Sequence, residues 1–394
     1  MNEKSQSCRE NRLIACTLFA FFVSGSSTVP MGNLIPFLRD TYNLSYDFTG
    51  MLLSLQSAGN LAAIFISGFL PSMIGRRKTV LTTAVWMAVA YSIITFGLGG
   101  TTLLPFACLM TGIARGGNTN FSNTMMSTLP GKKSAIGYNL LHGAFAVGAL
   151  LSPLVLIACT RHNPAAWRYM TAGVLVLCVA QLTVYARMYM PAENTRKDGK
   201  KTMDRSFLKN KDFWLSAAIL FFYISVEYAI AGWLVTYFQD IGILSEDVSQ
   251  LMTSLLWVVI FIGRMIGAAL VGRVPRKVIL LVDGIGLFAC FLVVFFSRSQ
   301  LPIILGIMGV GLFMATIYTS AMAIGTEKMR GNDLGVSQMI FISCIGGVVT
   351  PYIVGLVAEH AGIQAGMGVV VLTTVALLAA ILVTVFSNSK DAVQ

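Results

Sequence analysis

Long apolar runs, each ended by a short polar stretch, occupy almost the whole chain. They fall at about 13–38, 48–70, 79–99, 102–128, 135–158 and 167–189, then at about 213–238, 247–271, 277–296, 301–325, 334–358 and 364–386. Each is long enough to cross a bilayer as a helix, which takes ~20 mostly apolar residues. The pattern predicts an all-α integral membrane protein of twelve transmembrane helices in two six-helix bundles. Its expected segments are an N-terminal tail (1–11), a first bundle (12–189), a linker (190–211), a second bundle (212–387) and a C-terminal tail (388–394). The first run is too long for a signal-peptide core and lacks a small-residue cleavage site, so it stays as a span.

The two halves are copies. A shift of 199 residues carries Gly68 onto Gly267, Arg77 and Lys78 onto Arg276 and Lys277, Leu81 onto Leu280, Asn139 onto Gln338, and Gly148 onto Gly347. Ser152-Pro153 and Thr350-Pro351 coincide within one residue. A parallel repeat of six spans implies two bundles with an interface between them, near whose midplane transporters of this plan hold their solute. One chain holds both halves, so a monomer suffices.

Composition agrees with a lipid environment: 56% of residues are hydrophobic and 11% charged, against about 25% charged in soluble domains. The net charge of +11 does not mean nucleic acid, because the basic residues show no aromatic interleaving. They sit instead in and beside alternate loops, at the N-terminus, 71–78, 129–134, 190–211, 272–277, 326–333 and the C-terminus, which together take 22 of the 28. That bias places both termini and the linker in the cytoplasm of a plasma (inner) membrane protein. Seven cysteines without metal spacing and three scattered histidines argue against a metal site or other cofactor. No Ser–His, His-Glu-x-x-His or paired-aspartate arrangement supports an enzyme.

The chemistry lies in the polar residues inside spans. Glu227 sits mid-run, and burying a carboxylate there costs about 2.5–3.5 kcal/mol on insertion scales. It is therefore expected to face protein or water. Tyr223, Trp233 and Tyr237 give the same run a polar, aromatic lining. The fourth run carries Arg115, Asn118, Thr119, Asn120, Ser122 and Asn123. Asn offers a donor and an acceptor together, which suits vicinal hydroxyls, and Trp233 and Tyr318 suit the C–H face of a sugar ring. Arg115 must be neutralised or hydrated, with Glu227 and an anionic solute as alternative partners. Arg264 and Asp283, at similar depth on neighbouring spans, are expected to form a structural ion pair. Histidine is the side chain whose ordinary range of charge change spans neutral pH, and His142 is expected to serve either packing or coupling. The Gly112/Gly116 and Gly263/Gly267 spacings predict close helix approach.

The stretch Gly68-Phe-Leu-Pro-Ser72-Met-Ile-Gly75-Arg76-Arg77-Lys78 resembles the Gly-x-Leu-x-Asp-x-x-Gly-Arg-Arg-Lys loop of the major facilitator superfamily, and the likeness extends over essentially the whole chain. Ser72 replaces the family's aspartate, so the charge latch that this loop forms in relatives is altered. Asn139 to Pro153, with the Asn-rich fourth span and Glu227…Trp233…Tyr237, looks like the fucose permease-like branch. Acids of the fucose symporters on the first and fourth spans are absent: the first span has none, and the fourth-span position is Thr119. Phe145 replaces a fifth-span asparagine. The resemblance implies alternating access, with spans one, four, seven and ten lining the cavity. It also implies uptake of a small hydrophilic solute, a sugar or sugar derivative, by symport with a proton. Protons are favoured over sodium because one membrane acid, Glu227, faces the expected cavity. The alternatives are an organic-anion exchanger anchored by Arg115 and a drug antiporter, the latter disfavoured because the fifth span lacks the antiporter glycine–proline motif.

Overall fold

A computed structural model describes residues 3–28, 30–67, 70–129, 131–188, 206–270, 273–327 and 333–387. The expected position Gly68 lies outside them. So do most of the linker and the C-terminal tail.

The described chain is helical throughout: α1 (Glu3–Thr28), α2 (Pro30–Tyr42), α3 (Tyr46–Ile66), the short α4 (Leu70–Ile74), α5 (Arg76–Phe96), α6 (Gly100–Ser127), α7 (Gly131–Thr160), α8 (Trp167–Arg187), α9 (Lys211–Asp240), α10 (Glu246–Leu270), α11 (Arg276–Phe296), α12 (Gln300–Met314), α13 (Ile317–Glu327), α14 (Asp333–Ala361) and α15 (Ile363–Ser387). Among the described residues, eleven segments are long and apolar enough to cross a bilayer, with α1–α2 and α12–α13 each counting as one. The twelfth is α6, equally long at 28 residues but rich in Asn, Thr and Gly. Twelve spans result, as the run pattern predicts.

Two compact units form, one of residues 1–44 and 55–196, the other of 45–54 and 197–394. In the first, α1 packs on α7, α6 and α8, and α5 on α6 and α8. Glycines make the closest crossings. A Cβ on Gly25 would stand 2.1 Å from the Phe145 carbonyl of α7, and one on Gly112 would stand 1.9 Å from the Gln56 carbonyl of α3. Only hydrogen fits at these points.

Within the first span Pro30, at the start of α2, has no N–H to offer the carbonyl four residues back. In lipid such a carbonyl needs another donor. Ser152 on α7 supplies it, donating from Oγ to the Ser26 carbonyl at 3.1 Å. Tyr91 on α5 donates to the neighbouring Ser27 carbonyl.

In the second unit, α9 is the hub, packed by α14, α15, α13 and α10. Its fully buried Trp233 donates from the indole N–H to the Pro351 carbonyl of α14 at 3.0 Å. The first turns of α3 dock here too. The Tyr46 N–H donates to the Glu359 carboxylate and the Tyr46 hydroxyl to the Asp240 carboxylate, each at 2.7 Å. Glu359 thus satisfies one of the four amides that a helix N-terminus leaves open.

Candidate functional site

Each unit carries one polar cluster. In the first unit the Asn-rich stretch of α6 divides by direction, since successive residues turn by about 100° around a helix. Asn118 points into the unit: it donates to the Ala20 carbonyl at 3.0 Å and to Ser24 Oγ at 2.6 Å on α1. It accepts from Gln181 at 3.4 Å and from the Tyr185 hydroxyl on α8. Asn120 points toward α3, donating to the Ile64 carbonyl at 3.3 Å and to the Ser67 hydroxyl. Arg115, Thr119 and Asn123, at i, i+4 and i+8, share a third, half-buried stripe. The Arg115 guanidinium stands 5.9 Å from the centre of the Phe145 ring on α7, a cation–π placement.

His142 is exposed on α7, opposite the exposed apolar side of Leu140, Val147, Leu151 and Leu154. It meets Phe21 of α1 edge-to-face at 6.2 Å.

In the loop after α3, Gly75 takes a positive φ of 84°, a conformation that other residues rarely adopt. This turn launches α5, with Arg76 half-buried and Arg77 exposed at its start. Arg77 donates to the Ala186 carbonyl at the end of α8, where a cation complements the helix dipole.

The second unit's cluster is built on α9, α10, α13 and α14. Glu227 is half-buried one helical turn beyond the sealed Tyr223. The Tyr223 hydroxyl faces both the Glu227 carboxylate and the Arg264 guanidinium of α10. It is shut off from solvent without a hydrogen bond of full geometry. The Tyr318 ring of α13 lies 6.0 Å from the Tyr223 ring, and Tyr228 and Cys344 lie beside Tyr318 along with Glu227. A phenol between a carboxylate and a guanidinium can donate to one and accept from the other.

Two expectations come out differently. Arg264 does not pair with Asp283. It turns toward Tyr223 instead, and Asp283 accepts from Thr316. Trp233, expected to face solute, ties α9 to α14 in this geometry.

A further set of residues joins the cluster that the run pattern did not single out. Gln250, Thr253, Ser254, Trp257 and Arg264 follow helical spacing along α10 and so share one face. On that face Thr253 Oγ1 and Trp257 Nε1 are shielded from solvent without a hydrogen-bond partner. The apolar side of α10 exposes Leu251, Phe261, Ile262, Met265 and Ile266. The signal was present in the sequence as polar residues at helical spacing within one apolar run.

Comparison with known proteins agrees with this architecture. The chain is 21% identical to a TsgA homolog of Buchnera aphidicola over 90% of its own length and 91% of that protein's. It is 24% identical to a putative glucose/galactose transporter of Helicobacter pylori, covering 86% and 87% of the two chains. It is 25% identical to the glucose/mannose transporter GlcP of Bacillus subtilis, covering 91% and 90%. Among solved structures, a D-xylose–proton symporter superposes with a TM-score of 0.79 at 14% identity over 95% of this chain and 97% of that one. The fucose–proton symporter FucP of Escherichia coli gives 0.62 at 15% over 94% and 97%. These structures share the fold. The model of the Major Facilitator Superfamily matches residues 16–351, and this multi-pass membrane protein belongs to that family of transporters.

Proposed function

We propose that the protein takes up a neutral hexose-class sugar together with a proton, with Glu227 as the coupling residue. The relatives named as glucose/galactose and glucose/mannose transporters support the solute class. The observation that carries the coupling is the Tyr223 hydroxyl facing both Glu227 and Arg264. With Glu227 ionised, its carboxylate compensates the Arg264 cation through the phenol. With Glu227 protonated, the guanidinium and the phenol are released to bind solute hydroxyls. Proton and sugar then load together, and either alone leaves the cluster poorly compensated. On the first unit, Arg115, Thr119, Asn120 and Asn123 are the proposed solute-contact positions, and His142 a secondary coupling position. Gly68, Gly75, Arg76 and Arg77 form the proposed cytoplasmic gating loop. The basic loops support a plasma (inner) membrane location with both termini in the cytoplasm.

Purified protein in proteoliposomes tests the reading with a panel of labelled hexoses, with and without an inward proton gradient. Accumulation of at least one hexose is expected only with the gradient, and uptake driven equally well by sodium or needing no gradient would overturn it. An anionic solute is the second reading, favoured by the Arg115 guanidinium held over Phe145. Sugar acids in the same panel decide between the two.

A further inference from the structure

A second membrane carboxylate lies in the second unit, away from the Glu227 cluster. Asp283 on α11 is 9% exposed, and among the described residues its one hydrogen-bonding neighbour is Thr316, whose Oγ1 donates to Oδ2. An ionised carboxylate offers about four lone-pair sites, so a single hydroxyl leaves most of them unfilled.

The helices around Asp283 hold few charges. α12 and α15, both packed on α11, contain no ionisable side chain, and next to Asp283 the Gly284 backbone faces Ile381 and Leu378 of α15. On α10 the charged residues are Arg264, turned toward Tyr223, and Glu246 and Asp247 in the first turn. On α13 the titratable residue with a described side chain is Tyr318, itself beside Glu227. On α11, Arg276 and Lys277 lie in the first turn, about 10 Å along the axis, and Cys290 lies two turns further on. No cation pairs with Asp283 among the described residues. A buried charge in that position is better neutralised by taking a proton than left bare.

Thr316 is placed at a meaningful point. α12 stops at Met314 and α13 starts at Ile317, so the hydroxyl that meets Asp283 belongs to the interruption of the tenth span. There the Ala315 N–H reaches back only three residues, to the Leu312 carbonyl at 3.3 Å. Gly263 and Gly267 of α10 floor the same point: a Cβ on either would stand 2.6 Å from Ala315 Cβ or 2.2 Å from Thr316 Cγ2. The step thus lies against backbone, with no side chain between.

We infer that Asp283 is a proton-binding site of its own, distinct from Glu227, that loads and releases a proton as the interruption between α12 and α13 shifts Thr316. The proton adds to a carboxylate oxygen and returns to water, so no other reactant is needed. With Asp283 protonated, the Thr316 hydroxyl is free to act as acceptor. With it ionised, the hydroxyl is held as donor and the interruption is fixed against α11. This inference does not depend on coupling at Glu227.

Infrared titration of the full chain in lipid nanodiscs reads the site directly, through the carbonyl stretch of a neutral carboxyl group. The wild type is expected to show such a band at neutral pH, retained in Glu227→Gln and missing from Asp283→Asn. Removing the donor in Thr316→Val favours the neutral form, so the band should persist upward by about one further pH unit. The pH midpoint of solute uptake should move the same way. Should Asp283→Asn fail to fold, Asp283→Glu carries the test by moving the band in frequency. A band unchanged in Asp283→Asn or Asp283→Glu, lost instead in Glu227→Gln, or unmoved in Thr316→Val would overturn the inference.

Discussion

A polar atom sealed from water without a partner costs about 1–3 kcal/mol. Two such atoms, in Thr253 and Trp257, lie on the polar face of α10. They are explained if a solute supplies the missing partner. Trp257→Phe keeps the ring and removes the N–H, so it should weaken solute binding about three- to tenfold and leave the melting temperature unchanged. Calorimetric titration with the transported hexose checks this. Tyr223→Phe should weaken binding similarly and also flatten the pH dependence, because in the proposed coupling the phenol, which faces Glu227 and Arg264, joins the two. At this scale the sequence was only partly legible. That Glu227 and the α6 polar residues matter could be read from their cost inside a span. Which way each one points could not, because Asn118, Asn120 and Asn123 differ only by turns of about 100° per residue. The Arg264–Asp283 expectation failed for the same reason: equal depth on neighbouring helices does not make side chains converge.

Among the elements, the breaks carry the information. Beside Pro30 in the first span, the Ser26 and Ser27 carbonyls accept from two hydroxyls, of Ser152 and Tyr91, on two other helices. Tyr91→Phe removes one donor from a buried carbonyl and should cost about 1 kcal/mol, read as a lower melting temperature with solute affinity unchanged. Gly112→Val should be worse, because its Cβ would overlap the Gln56 backbone. Little folded protein is expected on size-exclusion chromatography. Run length and spacing disclosed the spans and the glycine contacts. They did not disclose that the tenth span is interrupted at Ala315, since no proline or glycine stands there and the cause is tertiary. The fourth span shows the opposite case: α6 is rich in Asn, Thr and Gly, yet its run at about 102–128 marks it as a span.

For the whole molecule, the 199-residue repeat in the sequence corresponds to six spans on either side of the linker. The chemistry is unequal between the halves. The first half offers Arg115 over Phe145, whereas the acid within a polar cluster stands on the second, at Glu227. That asymmetry suits a transporter in which one half binds the proton. The most direct test compares wild type and Glu227→Gln in proteoliposomes, reading gradient-driven accumulation of labelled hexose beside exchange of the same sugar without a gradient. The account predicts that the variant loses accumulation and keeps exchange. Accumulation as strong as in the wild type would contradict it.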